Sequence, residues 1–170
     1  MKTIFLDIDG VLATNKQFSR NREKFKQNYK WAAEYDVPYP YDEGCVKILN
    51  EIVESTGAQI VLSSDWKLHY NLDTMGKIFE ANGIKTKPVG TTEDFGYRGL
   101  LLEMWRASEI VSYIDKHDVG QWVVIDDLNM EKWFNYYNKG VKGDRFFITR
   151  NRDGLKKSSL KDKIINKLNE

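Results

Sequence analysis

Short apolar runs alternate along the chain with segments in which apolar residues recur at a spacing of three and four. The apolar runs predict β-strands; they are "IFL" at 4–6, "AQIVLSS" at 58–64, "QWVVIDD" at 121–127, "DRFFIT" at 144–149 and the less apolar "GIKTKPV" at 83–89. The helical spacing predicts amphipathic helices over 44–56, 72–83 and 102–117. This order predicts an α/β fold: a doubly wound, mostly parallel sheet with helices on both faces.

Residues 13–43 interrupt this alternation with a basic, aromatic-rich stretch that ends in the turn-forming residues "VPYPYDE". The stretch is too short to form a domain of its own, so we interpret it as an insertion. The chain has 170 residues, of which 41% are hydrophobic and 30% are charged. This size and composition predict a single domain over 1–170 with a substantial core.

Composition also limits where the protein is expected to act. The N-terminus passes directly into the first predicted strand, and no apolar run approaches the roughly 20 residues that a membrane span needs. The single cysteine, Cys45, cannot form an internal disulfide, which suits a reducing compartment. We therefore expect a cytoplasmic protein with no membrane association, and we infer no obligate protein partner.

The net charge of +1 conceals a segregation of charged residues. Residues 139–170 carry ten Lys or Arg and four Asp or Glu, whereas residues 37–138 carry nine and sixteen. The basic C-terminal region is interpreted as a solvated helix face, with a nucleic-acid contact as the alternative.

Three of the predicted strands end in polar residues, which are Asp7 and Asp9, Ser63 and Ser64, and Asp126 and Asp127. We expect these side chains to converge, because open parallel sheets bind ligands at the carboxyl ends of their strands. Gly10 lets the backbone turn away directly after Asp9. Grouped carboxylates repel each other unless a cation lies among them, and Mg²⁺ prefers a few carboxylate oxygens while keeping waters that a phosphate can replace. The pattern predicts Mg²⁺ as a cofactor and a phosphorylated ligand. In the alternative interpretation these residues only end strands and cap turns, Asp127 being an N-cap for the segment that begins at Leu128.

These motifs resemble those of the haloacid dehalogenase (HAD) superfamily of phosphotransferases. "DIDG" at 7–10 is similar to its first motif, "IVLSS" at 60–64 to its second, and "VVIDD" at 123–127 to its fourth. A further resemblance is to the small HAD domains of RNA-repair proteins, through "VLSSDWK" at 61–67, "RASEI" at 106–110 and "RDGLKKSSLKDKIINKL" at 152–168. The resemblance implies a Rossmann-like fold and a Mg²⁺-dependent phosphatase.

The resemblance also implies a role for each matching residue. Asp7 would be the nucleophile that forms an aspartyl-phosphate. Asp9 would protonate the leaving oxygen and then deprotonate the attacking water, and its backbone carbonyl would be a metal ligand. Asp126 would coordinate Mg²⁺ and Asp127 would assist it. The strand-end hydroxyls of Ser63 and Ser64 would bind phosphate.

The third motif of the superfamily departs from the usual pattern in this chain. The superfamily usually supplies a lysine ahead of the paired aspartates, and the best-placed basic residue here is Arg106. An arginine can bind phosphate through two parallel hydrogen bonds. Lys67, Lys85 and Lys87 remain alternatives.

The insertion carries the prediction about the substrate. In this superfamily a large insertion at this point closes over small substrates, whereas a short one leaves the mouth open to bulky ones. Aromatic and basic residues are mixed in it, which favours base stacking and backbone neutralisation; the alternative is ordinary packing. We predict a phosphate on a nucleotide or a nucleic-acid end, with Trp31, Trp66 and Lys67 as substrate contacts. A sugar-phosphate phosphatase and a catalytically silent phosphate-binding protein are the alternatives.

Overall fold

The computed structural model of the protein describes residues 1–18, 21–96, 101–137, 143–157 and 159–170. Five parallel strands form one sheet in the order β3-β2-β1-β4-β5. The strands are β1 (Thr3–Leu6), β2 (Gln59–Leu62), β3 (Gly90–Thr91), β4 (Trp122–Asp126) and β5 (Phe146–Ile148). The predicted α/β fold with a parallel, doubly wound sheet is confirmed. The switch in strand order lies at β1, which is the position where such sheets bind ligands.

Eight described α-helices connect and cover the strands. They are α1 (Asn15–Phe18), α2 (Arg22–Asn28), α3 (Lys30–Glu34), α4 (Glu43–Thr56), α5 (Leu72–Ala81), α6 (Leu102–Lys116), α7 (Glu131–Tyr136) and α8 (Leu160–Asn169). Among the described helices, none combines the length and the apolar character that a bilayer crossing requires.

The ends of the long helices follow from local sequence. Asp42 caps the start of α4 by accepting hydrogen bonds from the N–H groups of Gly44 and Cys45. Gly57 ends that helix in the left-handed conformation, with φ of 65°. Asn71 caps α5 in the same manner as Asp42 caps α4, through the N–H of Thr74.

Alternate residues of β1 face two separate apolar cores. Ile4 and Leu6 belong to the larger core, which contains buried residues of α4, α5 and α8. Phe5 belongs to the smaller core, with residues of α6 and α7 on the opposite face of the sheet. β1 is the central strand of the sheet and is buried on both faces. Its carboxyl end therefore lies in the middle of the mouth, which is the edge of the sheet where the strands end.

One strand prediction is wrong. The segment 83–89 is not a strand, and the pairing with β2 begins only at its end, where the N–H of Val89 donates to the Ile60 carbonyl at 2.9 Å. Pro88 within the segment has no N–H to donate, which delays the strand until Gly90–Thr91. In the described part of the insertion the chain forms the short helices α1, α2 and α3.

Candidate active site

The carboxyl ends of β1 and β4 bring three carboxylates together. One oxygen from each of Asp7, Asp126 and Asp127 lies within 4.8 Å of the other two. Asp7 and Asp126 are 3% and 1% exposed, so their charges are almost fully removed from water. The predicted convergence of these strand ends is therefore present in the structure.

Gly10 makes the close approach of these elements possible. Its φ is 77°, which is a left-handed conformation that residues with a side chain rarely adopt. A Cβ at this position would lie 2.6 Å from Asp127 Oδ2 and 2.6 Å from Asn151 Oδ1. The backbone after Asp9 thus passes directly against the carboxylate of Asp127.

The electrostatics of the carboxylate group fit a hard divalent cation. Burial and the charge of Asp7 raise the pKa of Asp126 well above its ordinary value. The same two causes raise the pKa of Asp127 to about 6. Since buried carboxylates repel one another, a cation among them would lower the free energy of the ionised group. An all-oxygen donor set of this kind suits Mg²⁺, with Asp7, Asp126 and Asp127 as the residues that would hold it.

Arg106, near the start of α6, is the basic residue that reaches this group. Its Nη1 lies 3.2 Å from Asp7 Oδ2 and 3.1 Å from Asp126 Oδ2, and its Nη2 lies 3.2 Å from Asp65 Oδ1. Burial opposes its charge, but these carboxylates outweigh burial and raise the pKa of Arg106. Arg106 therefore remains a cation at the centre of the site.

The alternative lysines do not occupy this position. Lys85 is exposed and pairs with Glu54 on the surface. Lys87 is also exposed. Lys67 pairs instead with Glu109, and both side chains are only 4% exposed. Of the four basic residues considered from the sequence, Arg106 is the one that contacts Asp7.

The two serines at the end of β2 differ in their surroundings. Ser63 is fully buried, and its Oγ has no hydrogen-bond partner among the residues that the structure describes. A buried hydroxyl without a hydrogen-bond partner costs free energy. A phosphate oxygen bound here would accept a hydrogen bond from Ser63 Oγ and remove that cost. The hydroxyl of Ser64 instead accepts from the Trp66 N–H and caps the 3₁₀ turn Asp65–Leu68. A phosphate-binding role for either serine stays a prediction.

The Asp9 carboxylate lies outside the group of three and is held separately. Tyr39 donates its hydroxyl to Asp9 Oδ1 at 2.7 Å. The indole Nε1–H of Trp66 donates to Asp9 Oδ2 at 3.1 Å. Burial is the main cause that raises the pKa of Asp9, and it outweighs the lowering effect of these donors. The Asp9 carboxylate therefore accepts from Tyr39 and Trp66 rather than joining the three carboxylates, and the Asp9 atom that the resemblance assigns to the metal is its backbone carbonyl.

The structure places the three residues predicted to contact substrate in different surroundings, and their substrate role stays a prediction. Trp66 is 5% exposed and belongs to the larger core, so it has little surface on which a base could stack. The Lys67 ammonium group donates to Thr92 and Glu109 and forms a buried ion pair with Glu109. Trp31 is half-buried, and its ring contacts are with Phe25 and Tyr29.

Sequence reasoning missed three residues of the site, namely Tyr39, Asp65 and Asn151. Asp65 directly follows the serines of the second motif, and that adjacency was a usable signal. Tyr39 lies in the insertion, and Asn151 lies after β5 with its Oδ1 against Gly10. Neither carries a local signal, because both reach the site only through the fold.

A parallel sheet with an Asp-x-Asp-Gly turn after its central strand, a buried serine after β2 and paired aspartates after β4 defines a protein of the HAD class. The family model described as the HAD domain in Swiss Army Knife RNA repair proteins matches residues 3–160, and the chain belongs to this family. The superfamily is one of phosphatase-type hydrolases. Searches of curated proteins and of solved structures give no match to this chain.

Proposed function

We propose that this protein hydrolyses phosphate monoesters, with Asp7 as the nucleophile. One observation carries the proposal. The buried Asp7 carboxylate lies close to the carboxylates of Asp126 and Asp127 and contacts the guanidinium of Arg106. Such a group can hold a cation and a phosphate next to a carboxylate nucleophile, which is the arrangement that phosphoryl transfer requires.

In the first step an Asp7 carboxylate oxygen attacks phosphorus. The bond between phosphorus and the ester oxygen breaks, and that oxygen leaves with a proton supplied by Asp9. The product alcohol is released, and Asp7 carries the phosphoryl group as an acyl phosphate. Ser63 and Arg106 donate to the phosphoryl oxygens, on which the transition state concentrates negative charge.

In the second step Asp9, now a carboxylate, takes a proton from a water molecule. The water oxygen attacks phosphorus, and the bond between phosphorus and Asp7 breaks. Inorganic phosphate leaves, the Asp7 carboxylate is restored, and Asp9 again holds its proton. When bound at Asp7, Asp126 and Asp127, Mg²⁺ would neutralise phosphate charge and orient the ester for in-line attack.

The substrate is proposed to be a nucleotide or a nucleic-acid phosphate end. Support comes from the loop after β5, which lies over the mouth: Thr149 donates its hydroxyl to the Gly10 carbonyl at 2.8 Å, and the Asn15 N–H donates to the Asn151 carbonyl at 2.8 Å. Arg150 and Arg152 flank Asn151 in this loop, and both are exposed. Two exposed cations in this loop suit a substrate that carries further phosphates beyond the reacting one.

The test of the catalytic proposal is phosphatase activity on a nitrophenyl phosphate with and without metal. EDTA should abolish activity and added Mg²⁺ should restore it, because the three carboxylates need a cation to accept a phosphate. Asp7→Asn should be inactive at every Mg²⁺ concentration while it still folds, as judged by circular dichroism. Activity of Asp7→Asn equal to that of the wild type would contradict the proposal.

The substrate class needs its own comparison. A phosphorylated oligonucleotide should be turned over with a higher kcat/KM than a hexose phosphate, and rising salt should reduce this advantage. The double variant Arg150→Ala/Arg152→Ala should lose the advantage and leave nitrophenyl phosphate turnover unchanged. A higher kcat/KM for the hexose phosphate would favour the small-metabolite alternative. Absence of turnover for every ester would favour the catalytically silent alternative.

A further inference from the structure

We propose that Tyr39 and Trp66 are positioning residues that hold the Asp9 carboxylate in the orientation needed for proton transfer. This inference rests on the proposed phosphatase function and adds a role for the insertion at 13–43, which supplies Tyr39. It gives Trp66 a role other than the substrate contact predicted from the sequence.

The two hydrogen bonds come from different parts of the chain and reach different oxygens. Tyr39 Oη lies 2.7 Å from Asp9 Oδ1, and Trp66 Nε1 lies 3.1 Å from Asp9 Oδ2. Asp9 precedes the left-handed turn at Gly10 and is half-buried, and its carboxylate accepts one hydrogen bond on each oxygen. Donors on both oxygens restrict rotation of the carboxylate, because rotation would break both bonds.

Both donors are themselves held by aromatic packing. The Trp66 ring lies 5.5 Å from the Tyr41 ring and 5.4 Å from the Tyr70 ring. The Tyr39 ring lies 4.9 Å from Phe18 and 5.9 Å from Trp66 in edge-to-face arrangements. The insertion and the turn after β2 therefore form one aromatic cluster, in which Tyr39 Oη and Trp66 Nε1 donate to the same carboxylate.

The chemistry of the two donors suits this role. A carboxylate oxygen has two lone pairs, so each Asp9 oxygen keeps one after accepting from Tyr39 or Trp66. That lone pair holds the proton that goes to the leaving oxygen, or accepts the proton that comes from water. Both donors are neutral, so they orient the carboxylate without placing a permanent cation beside it. Because a small misplacement of a catalytic group is costly, loosening this orientation should slow proton transfer in particular.

The experiment compares two esters that differ in their need for a proton. Nitrophenolate leaves without protonation, whereas an alkyl alkoxide does not. The parameter to compare is kcat/KM, because it covers the steps up to release of the alcohol and excludes hydrolysis of the acyl phosphate. Tyr39→Phe and Trp66→Phe should each lower kcat/KM for the alkyl phosphate by about two- to tenfold, which is the effect of one net hydrogen bond. The kcat/KM for nitrophenyl phosphate should change less. For either ester, the kcat/KM of each variant should stay at or above that of Asp9→Asn.

Two matched variants control for indirect effects. Tyr136→Phe removes a hydroxyl from a tyrosine of α7 that is 70% exposed and outside the site. Trp122→Phe replaces another buried indole, 8% exposed, in the smaller core. Thermal unfolding of all variants separates loss of stability from loss of positioning, since Tyr39→Phe deletes only one oxygen atom.

The results distinguish this inference from the function on which it rests. An equal loss for both esters, or no loss, would overturn the positioning role. A rise in KM confined to nucleotide substrates would also overturn it, in favour of direct substrate contact. If Asp7→Asn remains active, the proposed phosphatase mechanism fails whatever the Tyr39 and Trp66 variants do.

Discussion

Arg106 Nη1 lies 3.2 Å from Asp7 Oδ2, which joins a cation on α6 to a carboxylate at the end of β1. The same nitrogen lies 3.1 Å from Asp126 Oδ2. One buried guanidinium thus balances part of the charge of two of the three carboxylates that would hold a metal. In the proposed mechanism Arg106 would both support the phosphate and compete with a cation for the same oxygens.

Replacing Arg106 should separate these two effects. Arg106→Met should lower kcat by about 10²- to 10³-fold, which is the usual cost of losing one preorganised donor to a transition state. It should also tighten Mg²⁺ binding, because the carboxylates lose a competing positive charge. Calorimetric titration of Mg²⁺ measures the second effect. Arg106→Lys, which keeps the charge, is the control and should change Mg²⁺ affinity less; weaker Mg²⁺ binding by Arg106→Met would contradict this account.

Gly10→Ala should destabilise the protein and weaken its cation site. The left-handed backbone costs roughly 1–2 kcal/mol for a residue with a Cβ, and this Cβ would lie 2.6 Å from Asp127 Oδ2. Gly57→Ala is a matched control, because Gly57 has a φ of 65° and nothing within 4 Å of the added Cβ. Chemical denaturation should show a larger loss for Gly10→Ala, and only Gly10→Ala should impair the Mg²⁺ response. If the two variants lost the same free energy of unfolding, the left-handed backbone alone would explain both losses, and the contact with Asp127 would contribute nothing.

The pH dependence of stability should reflect the raised carboxylate pKa values. The pKa of Asp127 rises from 3.8 to about 6, mainly through burial. Between these values the folded protein holds more protons than the unfolded chain, so the stability of the metal-free protein should fall as pH rises from about 4 to 6. Asp127→Asn should weaken this fall, whereas Asp118→Asn, at an exposed position, should not.

The same titration should govern the response to metal. Mg²⁺ must displace the proton from a protonated carboxylate, so it should raise the melting temperature more at pH 7.5 than at pH 5. Thermal shift measurements with and without EDTA test this. A response of equal size at both pH values would argue against Asp127 as a ligand.

The buried pair of Lys67 and Glu109 should be costly to break on one side. Both side chains are 4% exposed, so Lys67→Met removes the cation beside a buried carboxylate and should destabilise the fold by about 3–5 kcal/mol. The double variant Lys67→Met/Glu109→Leu should recover most of that loss. Lys85→Met breaks an exposed pair, with side chains 67% and 57% exposed, and should cost under about 1 kcal/mol. A double variant as unstable as Lys67→Met would contradict this interpretation.

Much of the fold and the centre of the site could be predicted from local patterns. Buried strands carry continuous apolar runs, so β1, β2, β4 and β5 are visible in the sequence. Parallel strands end at one edge of a sheet, so the polar residues that follow β1 and β4 had to converge. The short strand β3 was misplaced, because the position of a two-residue strand depends on its partner β2 more than on its own residues.

Other features depended on contacts between distant segments. The sequence alone left Arg106, Lys67, Lys85 and Lys87 as candidate cations for the site. The fold places Arg106 against Asp7 and Lys67 against Glu109. Tyr39 has no motif that marks it, and it meets Asp9 only because the insertion folds back over the turn after β1. Local sequence determines which residues can end a strand or cap a helix, since those interactions lie within a few positions. Tertiary packing decides which side chains share a proton, a cation or a buried charge, because those side chains come from distant segments.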